Sequence, residues 1–174
     1  MPGGRWLGRG STLGRIALAA VALVLLVGAA RAEEFSGRVV GVTDGDTISV
    51  LRQGRAATVR LVGIDAPEKG QAYGQRAKQF AASLAFGQTV TVRVGGHDRY
   101  GRLLGEVILS DGRSLNQELV RAGFAWWFRK YSRDATLAHL EEEAREGRRG
   151  LWADPSPEAP WIYRSHRASY VATQ

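Results

Sequence analysis

The sequence predicts a mainly β domain of the α+β class: a small barrel of five strands with about three helices. Three observations lead there. Short runs rich in valine and threonine alternate with Asp-Gly and other turn signals, three segments carry apolar residues at helical spacing, and prolines crowd the tail beyond residue 153.

Taken in order, residues 1–32 come first. Arg5, Arg9 and Arg15 precede an apolar run at 16–27, and Ala30-Arg31-Ala32 fits the small-x-small cleavage pattern. The run is shorter than the roughly 20 apolar residues a spanning helix needs. It reads as a signal peptide cleaved near Ala32, giving an exported protein, periplasmic or secreted. A membrane partner follows only if the segment stays uncleaved.

Residues 35–43 read as a strand, Asp44-Gly45 as a hairpin signal, and 47–51 as the return strand. A third strand covers 57–64. Residues 71–86 form a helix, with Ala77, Phe80, Ala81 and Leu84 on one face and Gly87 as its stop. Strands at 89–94 and 103–109 flank a polar turn. Asp111-Gly112 is a further turn, and Ser114 with Gln117 makes a capping box for a short helix ending at Gly123.

A third helix at 134–146 places Leu137, Leu140 and Ala144 on one face and leaves Glu141-Glu142-Glu143 as a solvated face. Pro155, Pro157 and Pro160 then end regular structure, so 154–174 is a tail of unknown role behind a domain at 33–153. Five strands with interspersed helices suggest an OB-fold barrel. An open α+β sheet is the alternative, because periodicity does not reveal closure.

The net charge of +7 divides unevenly: residues 1–32 hold four arginines and no acid, leaving +3 on the remainder. That balance permits a nucleic-acid partner without demanding one. With no cysteine, disulfides, thiolate metal sites and a cysteine nucleophile are excluded. His97, His139 and His166 have no metal-ligand spacing and read as structural or exposed.

Three polar motifs remain: Asp44-Gly45-Asp46-Thr47, Arg60 leading into Asp65-Ala66-Pro67-Glu68, and Asp98-Arg99-Tyr100-Gly101-Arg102. Each has a plain reading, as a hairpin turn, a capping box with a salt bridge to Arg60, and a polar loop. Together they supply carboxylates for one hard cation and two guanidiniums for a phosphodiester, the parts of metal-assisted ester hydrolysis.

In the order and spacing of these motifs, and in Leu115-Asn116-Gln117-Glu118-Leu119-Val120 and Gly150-Leu151-Trp152, the chain resembles the staphylococcal-nuclease-like (thermonuclease) family. The resemblance implies an OB-fold barrel acting as a calcium-dependent phosphodiesterase on DNA and RNA. Asp46 and Asp65 would be the calcium carboxylates, the Ala66 carbonyl a third ligand, and Asp44 an outer-shell group. Glu68 would orient or deprotonate the attacking water, and Arg60 and Arg102 would bind the scissile phosphate.

Tyr100, Tyr131 and Arg99 are candidate substrate contacts, while at least two of the four aromatics Trp126, Trp127, Phe128 and Tyr131 read as core. Alanine stands where the family often has threonine, and a carbonyl ligand tolerates that. The loop after Glu68 is short, which removes room for substrate contacts there. Pro160-Trp161-Ile162-Tyr163-Arg164 resembles a C-terminal element of bacterial relatives. No stable protein partner is implied, and a monomer is expected. The rival reading is a non-catalytic binding barrel; such modules usually lose the acids or arginines that this chain keeps.

Overall fold

A computed structural model describes residues 33–172. The expected signal peptide lies outside the described residues. The chain runs through β1 (Glu33–Asp44), β2 (Thr47–Arg52), β3 (Arg55–Leu61), β4 (Ile64–Asp65), α1 (Gly74–Ala85), β5 (Thr89–His97) and β6 (Leu103–Ile108). It continues with α2 (Leu115–Arg121), β7 (Trp126–Trp127), α3 (Ala135–Glu146), a 3-10 turn (Gly150–Ala153) and α4 (Pro160–Ala172).

Five strands close into a barrel in the order β1-β2-β3-β6-β5, as an OB-fold requires; the open sheet is excluded. Closure depends on the length of β1. Its first half pairs with β5 and its second half with β2, with register shifts between Val39 and Gly41 and between Val42 and Asp44. Bulges of this kind bend a strand enough to serve two neighbours. All pairings are antiparallel except β3 with β6, where Arg60 lies opposite Leu104.

Strand alternation fills the barrel with Val39, Ile48, Val50, Val59, Leu61, Val90, Val92 and Val107, each at most 1% exposed. α1 packs on this core through Ala77, Ala81 and Ala85, whose small side chains allow close approach. It begins at Gly74 rather than at residue 71, because residues 69–73 are taken up by turns.

The capping box expected at Ser114 does not form. Ser114 makes no side-chain cap, its buried hydroxyl has no partner among the described residues, and its backbone forms a bridge with Ile108. α2 is fastened by buried Asn116, which accepts from the Val107 N–H at 3.1 Å and donates to the Val62 carbonyl at 2.9 Å. α3 is capped by Asp134, whose carboxylate accepts from the Thr136 N–H.

Glu141 also departs from expectation. It is buried, 2% exposed, and accepts from the Trp127 N–H at 3.2 Å and from Arg129 at 2.7 Å. Sitting beside Leu137, Leu140 and Ala144 on the apolar stripe, it ties α3 to β7.

Regular structure does not end at Asp154. Pro160 is the first residue of α4, where its fixed φ and missing N–H suit a helix start, so the proline opens a fourth helix instead of forbidding one. α4 is seated by Trp161, which stacks on Phe128 (5.4 Å between centroids, 4° between planes) and meets Trp126 edge-on at 5.5 Å. Trp126 in turn packs edge-on against Trp152 at 4.4 Å. Among the described residues no helix is long and apolar enough to cross a membrane.

Candidate active site

The hairpin between β1 and β2 supplies the first acid. Asp44 pairs with Thr47, so Gly45 and Asp46 form the two-residue loop. An Asx turn holds it, the Asp46 N–H donating to Asp44 Oδ1 at 3.1 Å. Gly45 is required by closeness: a Cβ there would lie 2.7 Å from the Cβ atoms of both Ala66 and Ala77. The loop is thereby pressed against β4 and α1, and Asp46 turns inward, 5% exposed. Its carboxylate accepts from the Ala66 N–H at 2.6 Å and from the Thr47 hydroxyl at 3.3 Å.

β4 places the second acid. Asp65 pairs with Trp126 of β7 and is 1% exposed. Arg60 bridges the two acids, with one nitrogen, Nη2, 3.2 Å from Asp46 Oδ2 and 2.9 Å from Asp65 Oδ1. Its other terminal nitrogen donates to the carbonyls of Leu61 and Ile64. Both acids therefore converge on one point.

Burial pushes the Asp46 carboxyl up to about 7; Asp44 and Asp65 add to the rise, while Arg60 and the Ala66 N–H oppose it. Two buried carboxylates whose mutual repulsion is relieved by a cation form a plausible oxygen donor set for a hard ion. Calcium–oxygen distances of about 2.3–2.6 Å allow two ligands to lie up to about 5 Å apart. That separation suits oxygens already gathered on a single guanidinium nitrogen. Among the described residues, no group of three or more His, Cys, Asp or Glu side chains is arranged to hold a metal. An ion here would draw on the two aspartates plus main-chain and solvent oxygen, and the residues fit a calcium ion on those terms.

Glu68 stands on the turn that precedes α1. Its N–H donates to Gln71 Oε1 at 3.1 Å and its carbonyl accepts from the Gln71 N–H at 2.8 Å. Gly74 locks this turn, since a Cβ there would lie 1.9 Å from the Glu68 carbonyl oxygen. The Glu68 side chain is 38% exposed, so one carboxylate of the cluster faces solvent.

Arg102 arrives on the loop before β6. Because Arg60 pairs with Leu104, and Val59, Leu61 and Leu103 point into the core, Arg60 and Arg102 share the outer face of two adjacent strands. Asp98 organises the loop, accepting from the Tyr100 N–H at 2.9 Å, the Arg102 N–H at 3.0 Å and Arg102 Nε at 2.6 Å. Desolvation is the largest single influence on Asp98 and raises it, but these hydrogen bonds and the Arg102 charge together outweigh it and hold the carboxyl below its usual range. The guanidiniums of Arg99 and Arg102 lie 4.8 and 5.6 Å from the centroid of the exposed Tyr100 ring. Among the described residues Arg102 makes no ion pair with Asp46, Asp65 or Glu68.

Tyr131 is exposed too, its ring against Phe128 at 4.8 Å. It lines a cavity of about 440 Å³ with Trp127, Phe128, Trp161 and Arg164. Trp126 and Trp127 go to the core, as expected, and His97, His139 and His166 are exposed.

The sequence profile described as "Staphylococcal nuclease homologue" matches residues 58–154, more than half of the chain. The chain belongs to the staphylococcal nuclease family. An "Uncharacterized endonuclease" of Escherichia coli O157:H7 is 51% identical over 134 residues, covering 77% of this chain and 87% of the relative. A protein named "Micrococcal nuclease" from Shigella flexneri is 43% identical over 94% of this chain and 98% of its own length. "Protein ParB" of Escherichia coli is 45% identical over 84% of this chain and 89% of its own.

One residue of this staphylococcal nuclease homologue escaped sequence reasoning. Arg164 of α4 reaches Asp65 Oδ2 at 2.8 Å, Asp65 Oδ1 at 3.2 Å and Glu68 Oε1 at 2.7 Å. The signal was present in the tail: Trp161 and Arg164 are three residues apart and share a helix face once the prolines are read as a helix start.

Proposed function

We propose that the protein is an exported, calcium-dependent nuclease hydrolysing phosphodiester bonds of DNA, RNA or both with little base specificity, by in-line attack of water. That it is a nuclease follows from its family. Calcium, export and the residue roles are our reading. The single observation that carries it is the convergence of buried Asp46 and Asp65 on one Arg60 nitrogen, beside Glu68.

Asp46, Asp65 and the Ala66 carbonyl would hold the ion. Asp44 would act from outside, since one of its oxygens already serves the hairpin. When bound, calcium supplies positive charge to the phosphate and orders nearby water. Glu68 takes the proton of the attacking water, a role worth roughly 10²–10⁴-fold. As the new P–O bond forms, the bond to the leaving ester oxygen breaks and that oxygen takes a proton from solvent, to which Glu68 later returns the one it took.

Arg60 and Arg102 bind non-bridging oxygens and stabilise the charge that grows on them. Tyr100, Tyr131 and Arg99 contact the nucleotide by ring faces and charge, which explains limited base specificity. The basic and apolar character of residues 1–32 supports export.

Digestion of denatured DNA by the purified protein in calcium, then after adding chelator, tests this reading. Cleavage that stops on chelation is the expected result. Binding without cleavage would return the non-catalytic barrel.

A further inference from the structure

α4 is joined to the catalytic region at several points. Gln71, whose side chain accepts from the Glu68 N–H, donates through Nε2 to the Glu158 carbonyl at 2.6 Å. Trp161 is wedged against Trp126 and Phe128, and Ala159 is buried in the same cluster. One helical turn beyond Trp161, the Arg164 guanidinium takes both oxygens of Asp65 and one of Glu68. The helix therefore packs beside the short loop after Glu68 and forms a wall of the site.

We propose that Arg164 is a positioning residue for hydrolysis: its planar fork fixes the Glu68 carboxylate relative to Asp65, and α4 is thereby part of the active site. This rests on the nuclease reading above. One rigid guanidinium bonded to both acids sets their separation, as a flexible ammonium would not.

The arrangement is compatible with an ion on Asp65. An ionised carboxylate offers about four lone-pair sites. Arg60 and Arg164 share Oδ1, while among the described residues Oδ2 accepts from Arg164 alone, which leaves one site for a cation. The nearby positive charge opposes a divalent ion, so removing Arg164 should not weaken ion binding. Loss of turnover without loss of ion affinity separates positioning from a structural role.

The experiment compares wild type, Arg164→Ala, Arg164→Lys and, as control, Arg167→Ala, which lies on α4 with its guanidinium near the Tyr163 ring. Rates on single-stranded DNA, calorimetric titration with calcium chloride alone and thermal midpoints are measured on the full chain. Arg164→Ala should lower kcat about tenfold or more with KM within about threefold, calcium affinity equal or tighter, and the midpoint nearly unchanged. Arg164→Lys should recover at most part of the loss, and Arg167→Ala should match wild type.

Undiminished kcat in Arg164→Ala overturns the proposal. So does a loss confined to KM, or a parallel fall in calcium affinity. Full rescue by lysine also counts against it, because charge alone would then suffice. If wild type itself fails to cleave, the nuclease reading falls first, which no outcome confined to the variants would imply.

Discussion

The hairpin at 44–47 and the loop at 98–102 are built from similar residues and end in opposite electrostatic states. Each is a polar turn with an aspartate and a glycine, and each is stabilised by an aspartate accepting backbone N–H groups. Gly45 presses the first against Ala66 and Ala77, which buries Asp46 and raises its carboxyl to about 7. The tip of the second, residues 99–101, is exposed, and half-buried Asp98 is spent on its own loop and kept acidic by its hydrogen bonds to Arg102 and Tyr100. Burial, not residue type, decides which turn offers carboxylate oxygens to an ion and which presents a cation and a ring to solvent.

If that division is real, substitutions on the two sides should differ in kind. The largest effects belong to the reacting groups. Glu68→Gln and Arg102→Lys should each slow hydrolysis by at least about 100-fold, while the thermal midpoint stays close to wild type. Near-normal turnover in either variant would remove that residue from the chemistry.

A smaller effect should follow from loosening the exposed loop. Asp98→Asn removes the charge that aims Arg102. Solvent screens this pair, so a loss of about tenfold in kcat/KM is the expected outcome of steady-state assays. Calcium binding should be untouched, in contrast to any change at Asp46.

The smallest effect concerns stability without divalent ions, and its sign is opposite on the two sides. Between its unfolded value of 3.8 and its folded value of about 7, Asp46 is ionised in the unfolded chain but protonated in the folded one. Stability therefore falls as pH rises through that window. Asp98 titrates below 3.8 when folded, so its contribution is present above 3.8 and lost as pH drops through the folded value. Urea unfolding across pH should show Asp46→Asn flattening the neutral side and Asp98→Asn the acid side.

Much of this was legible in the sequence because it is local. Valine-rich runs and Asp-Gly turns report strands, and the three motifs report the acids and arginines. What was hidden depends on distant partners. Glu141 reads as one of three surface glutamates, yet its position on the apolar stripe buries it against Trp127 and Arg129. Ser114 has the spacing of a cap, yet its hydroxyl is buried without a partner among the described residues, and its backbone is bridged to distant Ile108.

The C-terminal helix was the main omission. Proline breaks a helix inside and favours one at its first turn, so Pro160 alone does not say which. Arg164 meets Glu68 and Asp65 across 96 and 99 residues of chain, a separation no local pattern encodes.

If the buried Asp46–Asp65 pair holds a divalent ion, calorimetric titration of calcium into wild type and Asp46→Asn should register it. The wild type should bind at one site per chain, and the variant should bind at least about tenfold more weakly. Equal affinity in both proteins, or no binding by the wild type, would contradict ion binding by this pair.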